Sequence, residues 1–355
     1  MLAPTVTVLM AVYDGEKHIG PTIESILNQT FKDFEFVIVN DASTDSTERI
    51  IKSYGDSRIV LHNNKSNLGQ TKSLNIGLHL ARGKYIARTD AGDVSLPMRL
   101  EKQVIYIENH PEITVVGASA VRYNDSWRVK DVIHMPNSPK GMLQRMFFAS
   151  PVVHVSVVMN RETILHLGGY NEDYHILADY ELWSKLLQNN CRLSNLREVL
   201  VGYMASPESL GAMNIKGKSI IEASRIIQSN VNALTSLSIS LSQASNIYEL
   251  FALDMIEIAL NDVIETEKLF TKILKEVNSS KSDIDYFLIR KYMKYLLLNI
   301  RRPRDRAKFQ HAIRSVCTKA GCLFSFRRLS DSLCRLPLGI VWRSGKRLAD
   351  LHFPP

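Results

Sequence analysis

Four short apolar runs alternate with amphipathic stretches over residues 1–90. VTVLMAVY (6–13), FEFVIVN (34–40), RIVLHNN (58–64) and KYIARTD (84–90) have the length and β-branched content of strands. Between them, residues 19–30, 45–55 and 69–83 space their apolar positions by three and four, which predicts helices. Such alternation builds βαβ units and a mostly parallel sheet, and the pattern continues to about residue 205. Past that point residues 215–237, 244–277 and 283–300 carry helical periodicity with few strand signals, and two further possible helices follow. The pattern therefore predicts an α/β domain over 1–205 and an α-helical region over 206–355.

Each strand run ends in turn chemistry: Asp14-Gly15, then Asp41-Ala42-Ser43, then Asp90-Ala91-Gly92-Asp93. Ligands of open parallel sheets bind outside the carboxyl ends of the strands, so three acidic loops are expected to converge on one crevice. Asp41 directly follows a buried-type strand, where a carboxylate can accept a ring N–H from a nucleobase. Asp45, three residues before Glu48, reads as the start of a capping box. Asp90 and Asp93 offer hard oxygen ligands suited to Mg²⁺ or Mn²⁺ against a phosphate. No Gly-x-Gly-x-x-Gly follows a strand and no phosphate-binding Gly-x-x-x-x-Gly-Lys-Ser/Thr occurs, which argues against a dinucleotide cofactor and a P-loop.

Composition narrows the setting. The chain of 355 residues is 45% hydrophobic, as a globular protein is. Its four cysteines, Cys191, Cys317, Cys322 and Cys334, show no metal-ligand spacing and suit a reducing compartment. The N-terminus has no basic leader, and Pro4, Thr5 and Thr7 interrupt its apolar run, so it reads as a strand. No run approaches the ~20 apolar residues of a spanning helix, and a cytoplasmic, soluble or peripheral protein is expected. From Arg290 to the end there are sixteen Lys/Arg against three Asp/Glu, or +13, which leaves 28 against 33, or −5, for residues 1–289. Residues 324–348 mix these cations with Leu, Phe and Trp342, the composition of an interfacial helix on anionic lipid.

From VLMAVYDGEKHIGPTIESILNQTFKDFEFVIVNDASTDST, through NLGQTKSLNIGLHLARGKYIARTDAGDVSLPMRLEKQ, to HVSVVMNRETILHLGGYNEDYHILADYELWSKLL, the chain resembles glycosyltransferase family 2 with the GT-A fold. The resemblance covers roughly residues 5–205 and omits the helical region. It implies a Rossmann-like sheet on which a nucleotide-diphospho-sugar, a UDP-sugar by family habit, lies across the strand ends. The sugar passes with inversion to an acceptor hydroxyl, and a lipid-linked glycan of surface polysaccharide synthesis at the inner face of the membrane is the acceptor expected. Position by position, Tyr13 and Asp14 resemble the first loop lining the nucleotide, Asp41 the base-holding carboxylate, and Asp90 the first aspartate of the Asp-x-Asp motif. Lys72, Asn75 and Arg88 fall in donor-side regions, and His154, Gly169 and Tyr170 in the acceptor-side region. Asp179 matches the proton-accepting aspartate of a Glu-Asp pair.

Two positions depart from the family pattern. The usual direct metal ligand is Gly92 here, with Asp93 the candidate to replace it, and the glutamate before the base is Ala178. Several residues keep a structural alternative: an N-cap for Asp179, a surface strand-edge arginine for Arg88, a backbone bridge for Asn75, a plain structural role for His154. At the level of function, sugar nucleotidyl transfer and a catalytically decayed nucleotide-binding module stay open beside sugar transfer. Nucleic acid is not an expected partner, because no recognised binding motif accompanies the basic tail.

Overall fold

The computed structural model describes residues 3–124, 126–204, 217–252 and 260–277. Its first elements are β1 (Val6–Val12), α1 (Ile19–Leu27), β2 (Phe34–Asn40), α2 (Thr47–Ser53), β3 (Ile59–Asn63), α3 (Gln70–Leu80) and β4 (Tyr85–Arg88), as the apolar pattern predicts. Then come β5 (Val94–Ser95), α4 (Arg99–Asn109), β6 (Ile113–Tyr123), β7 (Val129–Ile133), α5 (Pro139–Met146), β8 (Val158–Asn160), α6 (Arg161–His166), α7 (Ala178–Gln188) and β9 (Arg192–Met204). Helices α8 (Lys218–Leu234), α9 (Leu241–Phe251) and α10 (Leu260–Glu276) complete the described chain.

The strands form one sheet in the order β3-β2-β1-β4-β8-β6-β9-β5, with β7 paired to β6. Pairs β3/β2, β2/β1, β1/β4 and β6/β9 are parallel, while β4/β8, β8/β6, β9/β5 and β6/β7 are antiparallel. Every residue of β1, β2 and β4 is buried, as strands covered by helices on both faces must be. Val6, Val8, Met10 and Val12 pack with Ile19, Ile23 and Ile26 of α1 and Leu100, Val104 and Ile107 of α4. On the other face α3 lies so close that a Cβ on Gly77 would stand 2.2 Å from Leu9 Cδ1.

The first compact unit runs from Met1 to Ala252, so the expected boundary at residue 205 falls within it and α8 and α9 belong with the sheet. Asn230 of α8 donates to Met146 O at 3.0 Å and accepts from Ser184 Oγ of α7 at 2.5 Å, which ties the helix to the core. In the second unit, α10 buries Phe270, Ile273 and Leu274. Among the described residues no helix is long and apolar enough to cross a membrane. Cys191 is a half-buried free thiol. The helix expected at 283–300, the basic tail with its stretch 324–348, and Cys317, Cys322 and Cys334 lie outside the described residues.

Candidate active site

The loops after β1 and β2 are laced together. Asp14, in the left-handed region at φ 48°, accepts from Thr44 N at 2.7 Å, and its own N–H donates to Ser43 Oγ at 3.0 Å. Gly15 N donates to Thr47 Oγ1 (2.8 Å), Glu16 N to Asp45 Oδ2 (2.9 Å) and Ser46 N to Glu16 Oε2 (3.0 Å). Asp45 also accepts from Thr47 N, but the residue capping α2 is Ser46, and Glu48 pairs with Lys52 instead of closing the expected capping box. Tyr13 projects from this rim with half of its surface exposed.

Asp41 is not open to a base in the way its strand-end position suggests. Only 3% exposed, it accepts from Asn64 Nδ2 (2.7 Å), Leu68 N (2.8 Å) and Gly69 N (2.8 Å). Three of the roughly four acceptor positions of a carboxylate are thus used to fasten the β3–α3 loop.

The next loop is anchored from below. Arg88 is fully buried, which removes the surface alternative, and its guanidinium pairs with Asp90 Oδ1 at 2.5 Å. Burial opposes the charge on Arg88, yet Asp90, Tyr170 and Asp93 together outweigh it and the guanidinium is held above its usual range. Gln70 Nε2 donates to the same Asp90 oxygen at 3.0 Å, so Asp90 presents its other oxygen from a side chain that is 30% exposed. Gly92 turns the chain at φ 101°; Thr22 Oγ1 accepts from Gly92 N (2.9 Å) and donates to Asp93 O (2.8 Å), while Tyr123 OH donates to Gly92 O.

Asp93 does not take over the missing metal contact. It is 2% exposed, its Oδ1 accepts from Met204 N at 3.0 Å, and its Oδ2 is sealed from solvent without a hydrogen-bond partner. Burial, with the neighbouring Asp90 charge, pushes its pKa well above the usual carboxylate range. Among the described residues no three His, Cys, Asp or Glu side chains are grouped to hold a metal. What remains is one solvent-facing oxygen of Asp90. That still fits Mg²⁺ or Mn²⁺, which commonly bind through one or two carboxylates plus substrate phosphates and water.

Asp179 sits in the first turn of α7, whose N-cap is Leu177, so it is not the cap. Burial lifts its pKa to about 6, against the lowering by backbone N–H groups at the helix start and by Arg88, with Asp90 adding to the rise. The charges of Arg88 and Asp90 thus reach Asp179.

Of the expected acceptor-side residues, Gly169 and Tyr170 are buried and His154 is half-buried. His154 Nε2 and Tyr170 OH are 2.8 Å apart, and burial, then Arg88, drives the imidazole pKa far down, so His154 is neutral. Tyr170 is 1% exposed. Asn75 bridges backbone, as its structural alternative holds: it donates to Tyr170 O and accepts from Tyr170 N, both at 2.9 Å. Gly169, at φ 67°, is glycine because a Cβ would stand 2.7 Å from Asn75 Oδ1. Lys72 is exposed and lines a groove of about 390 Å³ with Leu68, Asn75, Ile76, His79 and Glu172; Asp41, Asp90 and Asp179 are not among its lining residues. Thr22, Asn64, Gln70 and Met204 were not singled out by the sequence, since each acts through a partner distant in the chain.

A sheet whose parallel half ends in a fastened acidic rim, with an arginine-anchored aspartate and a carboxylate poised near neutrality, agrees with the GT-A sugar transferase that the sequence resemblance implies. Residues 7–165 match the model of glycosyl transferase family 2. The putative glycosyltransferase EpsE of Bacillus subtilis is 36% identical over 203 residues, covering 56% of this chain and 72% of that protein. The chain belongs to glycosyl transferase family 2 and is a glycosyltransferase. The matches span 65% and 72% of the length of the first curated relatives. A more distant relative, at 27% identity over 63% of this chain and 86% of its own length, is the UDP-Glc:alpha-D-GlcNAc-diphosphoundecaprenol beta-1,3-glucosyltransferase WfaP of Escherichia coli. Among solved structures, S. aureus TarS 1–349 in complex with UDP-GlcNAc shares the fold at a TM-score of 0.56 and 17% identity, over 90% of this chain and 93% of that one.

Proposed function

We propose that the protein is an inverting transferase that moves a sugar from a UDP-sugar to a hydroxyl of a lipid-linked glycan in polysaccharide synthesis. The observation that carries this reading is Asp179, a carboxylate with a pKa near 6 in electrostatic reach of the Arg88–Asp90 pair. At neutral pH it is largely ionised, yet more basic than an ordinary aspartate, as a general base should be. It takes the proton of the acceptor hydroxyl while that oxygen bonds to the anomeric carbon from the face opposite the diphosphate. The carbon–phosphate oxygen bond breaks, and the diphosphate leaves with the electron pair. Arg88 holds Asp90 in place on the donor side, and Tyr13 offers an exposed ring face to the base. Mg²⁺ or Mn²⁺, held by Asp90, would supply positive charge to the departing diphosphate.

The donor and acceptor classes follow those that the name of WfaP states and the UDP-GlcNAc bound to TarS. The +13 charge of residues 290–355 suits an anionic membrane surface at the cytoplasmic face, where such an acceptor resides. The test is transfer and hydrolysis of UDP-, GDP- and dTDP-sugars on a lipid-diphosphate glycan, with Mn²⁺ or EDTA. UDP release with an inverted product is expected, together with loss of turnover in Asp179→Asn. Pyrophosphate release, or nucleotide binding with no sugar released by the wild type, would overturn the reading.

A further inference from the structure

We propose that Glu222, in the helical region beyond the family match, is a positioning residue for Asp179. Glu222 lies on α8 and is 6% exposed. Its Oε1 accepts from His175 N at 3.0 Å, and its Oε2 from Ile176 N at 3.0 Å and Leu177 N at 2.8 Å. Three consecutive backbone donors therefore converge on one carboxylate immediately before α7. The N-cap of α7, Leu177, has no side-chain acceptor of its own. From another helix, Glu222 holds the N–H of that cap residue and of the two residues before it, two residues upstream of the base, and an anion so placed also complements the helix dipole.

The same segment is held from the donor side, where Thr71 Oγ1 of α3 donates to Tyr174 O at 2.9 Å. Residues 174–177 are thus stretched between the helix that carries Gln70, a partner of Asp90, and the helix that carries Glu222. Further along, α8 grips α7 again through Asn230, which accepts from Ser184 Oγ and Gln188 Nε2. The Asn230 contact secures helix packing. The Glu222 contact sets where α7 begins, and hence where the Asp179 carboxylate stands. In this chain the residue before the base is Ala178, so that position offers no acid side chain for the task.

This inference rests on Asp179 being the base, and the experiment separates the two. Glu222→Gln, Glu222→Asp, Asn230→Ala and Asp179→Asn are compared for kcat, donor affinity, melting temperature and the pH profile of kcat/KM. Misplacing a catalytic group by about 1 Å can cost ~10²-fold, so Glu222→Gln is expected to lower kcat by about 10–10²-fold with donor affinity within about twofold. Glu222→Asp, which keeps the charge but withdraws it by one methylene, is expected to lie between Glu222→Gln and wild type; if Glu222→Gln does not fold, Glu222→Asp carries the test. A loosened segment hydrates Asp179, so the acid limb of the profile moves to lower pH. Asn230→Ala is expected to lose melting temperature without that shift and with kcat nearly kept. In an Asp179→Asn background, Glu222→Gln adds nothing further, because the two act as a unit. Normal kcat and an unmoved acid limb in the Glu222 variants, beside an inactive Asp179→Asn, would overturn the positioning role alone. An active Asp179→Asn would overturn the base assignment.

Discussion

Burial and the start of α7 pull the Asp179 proton in opposite directions, and burial wins, with the result near pH 6. The folded pKa stands above the unfolded value near 3.8, so the folded chain holds this proton more tightly than the unfolded one does. The associated stability is present below about pH 4 and is lost as pH rises through about 6. At pH 8 the ionised, half-buried carboxylate costs about 1–3 kcal/mol. Asp179→Asn is therefore expected to melt several degrees higher at pH 8, with the advantage shrinking toward pH 4, while turnover falls by about 10²–10⁴. Thermal melts across that range check the first part and single-turnover assays the second. In wild type, kcat/KM is expected to rise with pH through an apparent pKa near 6, since that profile reports the free enzyme. Asp90 and Asp179 were legible as functional candidates because each stands at an element end beside turn or helix-start chemistry. The occupied state of Asp41 was not, because Leu68 and Gly69 reach it from 27 and 28 residues away. Nor were the burial of Tyr170 and its contact with His154, because their further partners Asn75 and Trp183 lie on α3 and α7.

At the scale of elements, periodicity carried the first seven strands and helices, where each apolar run packs on its sequence neighbours. It carried neither the antiparallel entry of β8 beside β4 nor the long β6/β9 pair, because register between distant strands leaves no local trace. The laced loops after β1 and β2 behave as one body, since each supplies acceptors for the N–H groups of the other. Gly77 tests the packing of α3 on β1. Helix propensity alone favours Gly→Ala by about 1 kcal/mol. A methyl 2.2 Å from Leu9 Cδ1 and 3.2 Å from Val39 Cγ2 forces repacking, which costs about 1–3 kcal/mol or more. Gly77→Ala is accordingly expected to be net destabilising in urea titration. Gly169→Ala meets Asn75 Oδ1 as well as a left-handed backbone, and is expected to lose about 1–3 kcal/mol.

Over the whole molecule, charge separated a mildly acidic part, residues 1–289, from a basic end, while the loss of strand signals placed the domain boundary at residue 205. Contacts extend the first unit to Ala252, because α8 and α9 bury Ile226, Ile227, Val231, Ile247 and Phe251. Helical periodicity reports a buried face without saying what covers it, which is why Glu222 was invisible in the sequence. Removing residues 324–355 is expected to lower binding to vesicles containing anionic lipid and to flatten its salt dependence, measured by co-sedimentation. Unchanged partitioning would assign membrane contact elsewhere.

The turn from Asp90 to Asp93 is held by Thr22 from α1, Tyr123 from β6 and the backbone of Met204 from β9, and two of these bonds go to Gly92 main-chain atoms. Its shape is thereby largely uncoupled from the side chains it displays. A scaffold of that kind can exchange what it presents to a donor without refolding, which makes Ala91, whose side chain bonds to nothing in the turn, the place to begin reprogramming which sugar the enzyme accepts.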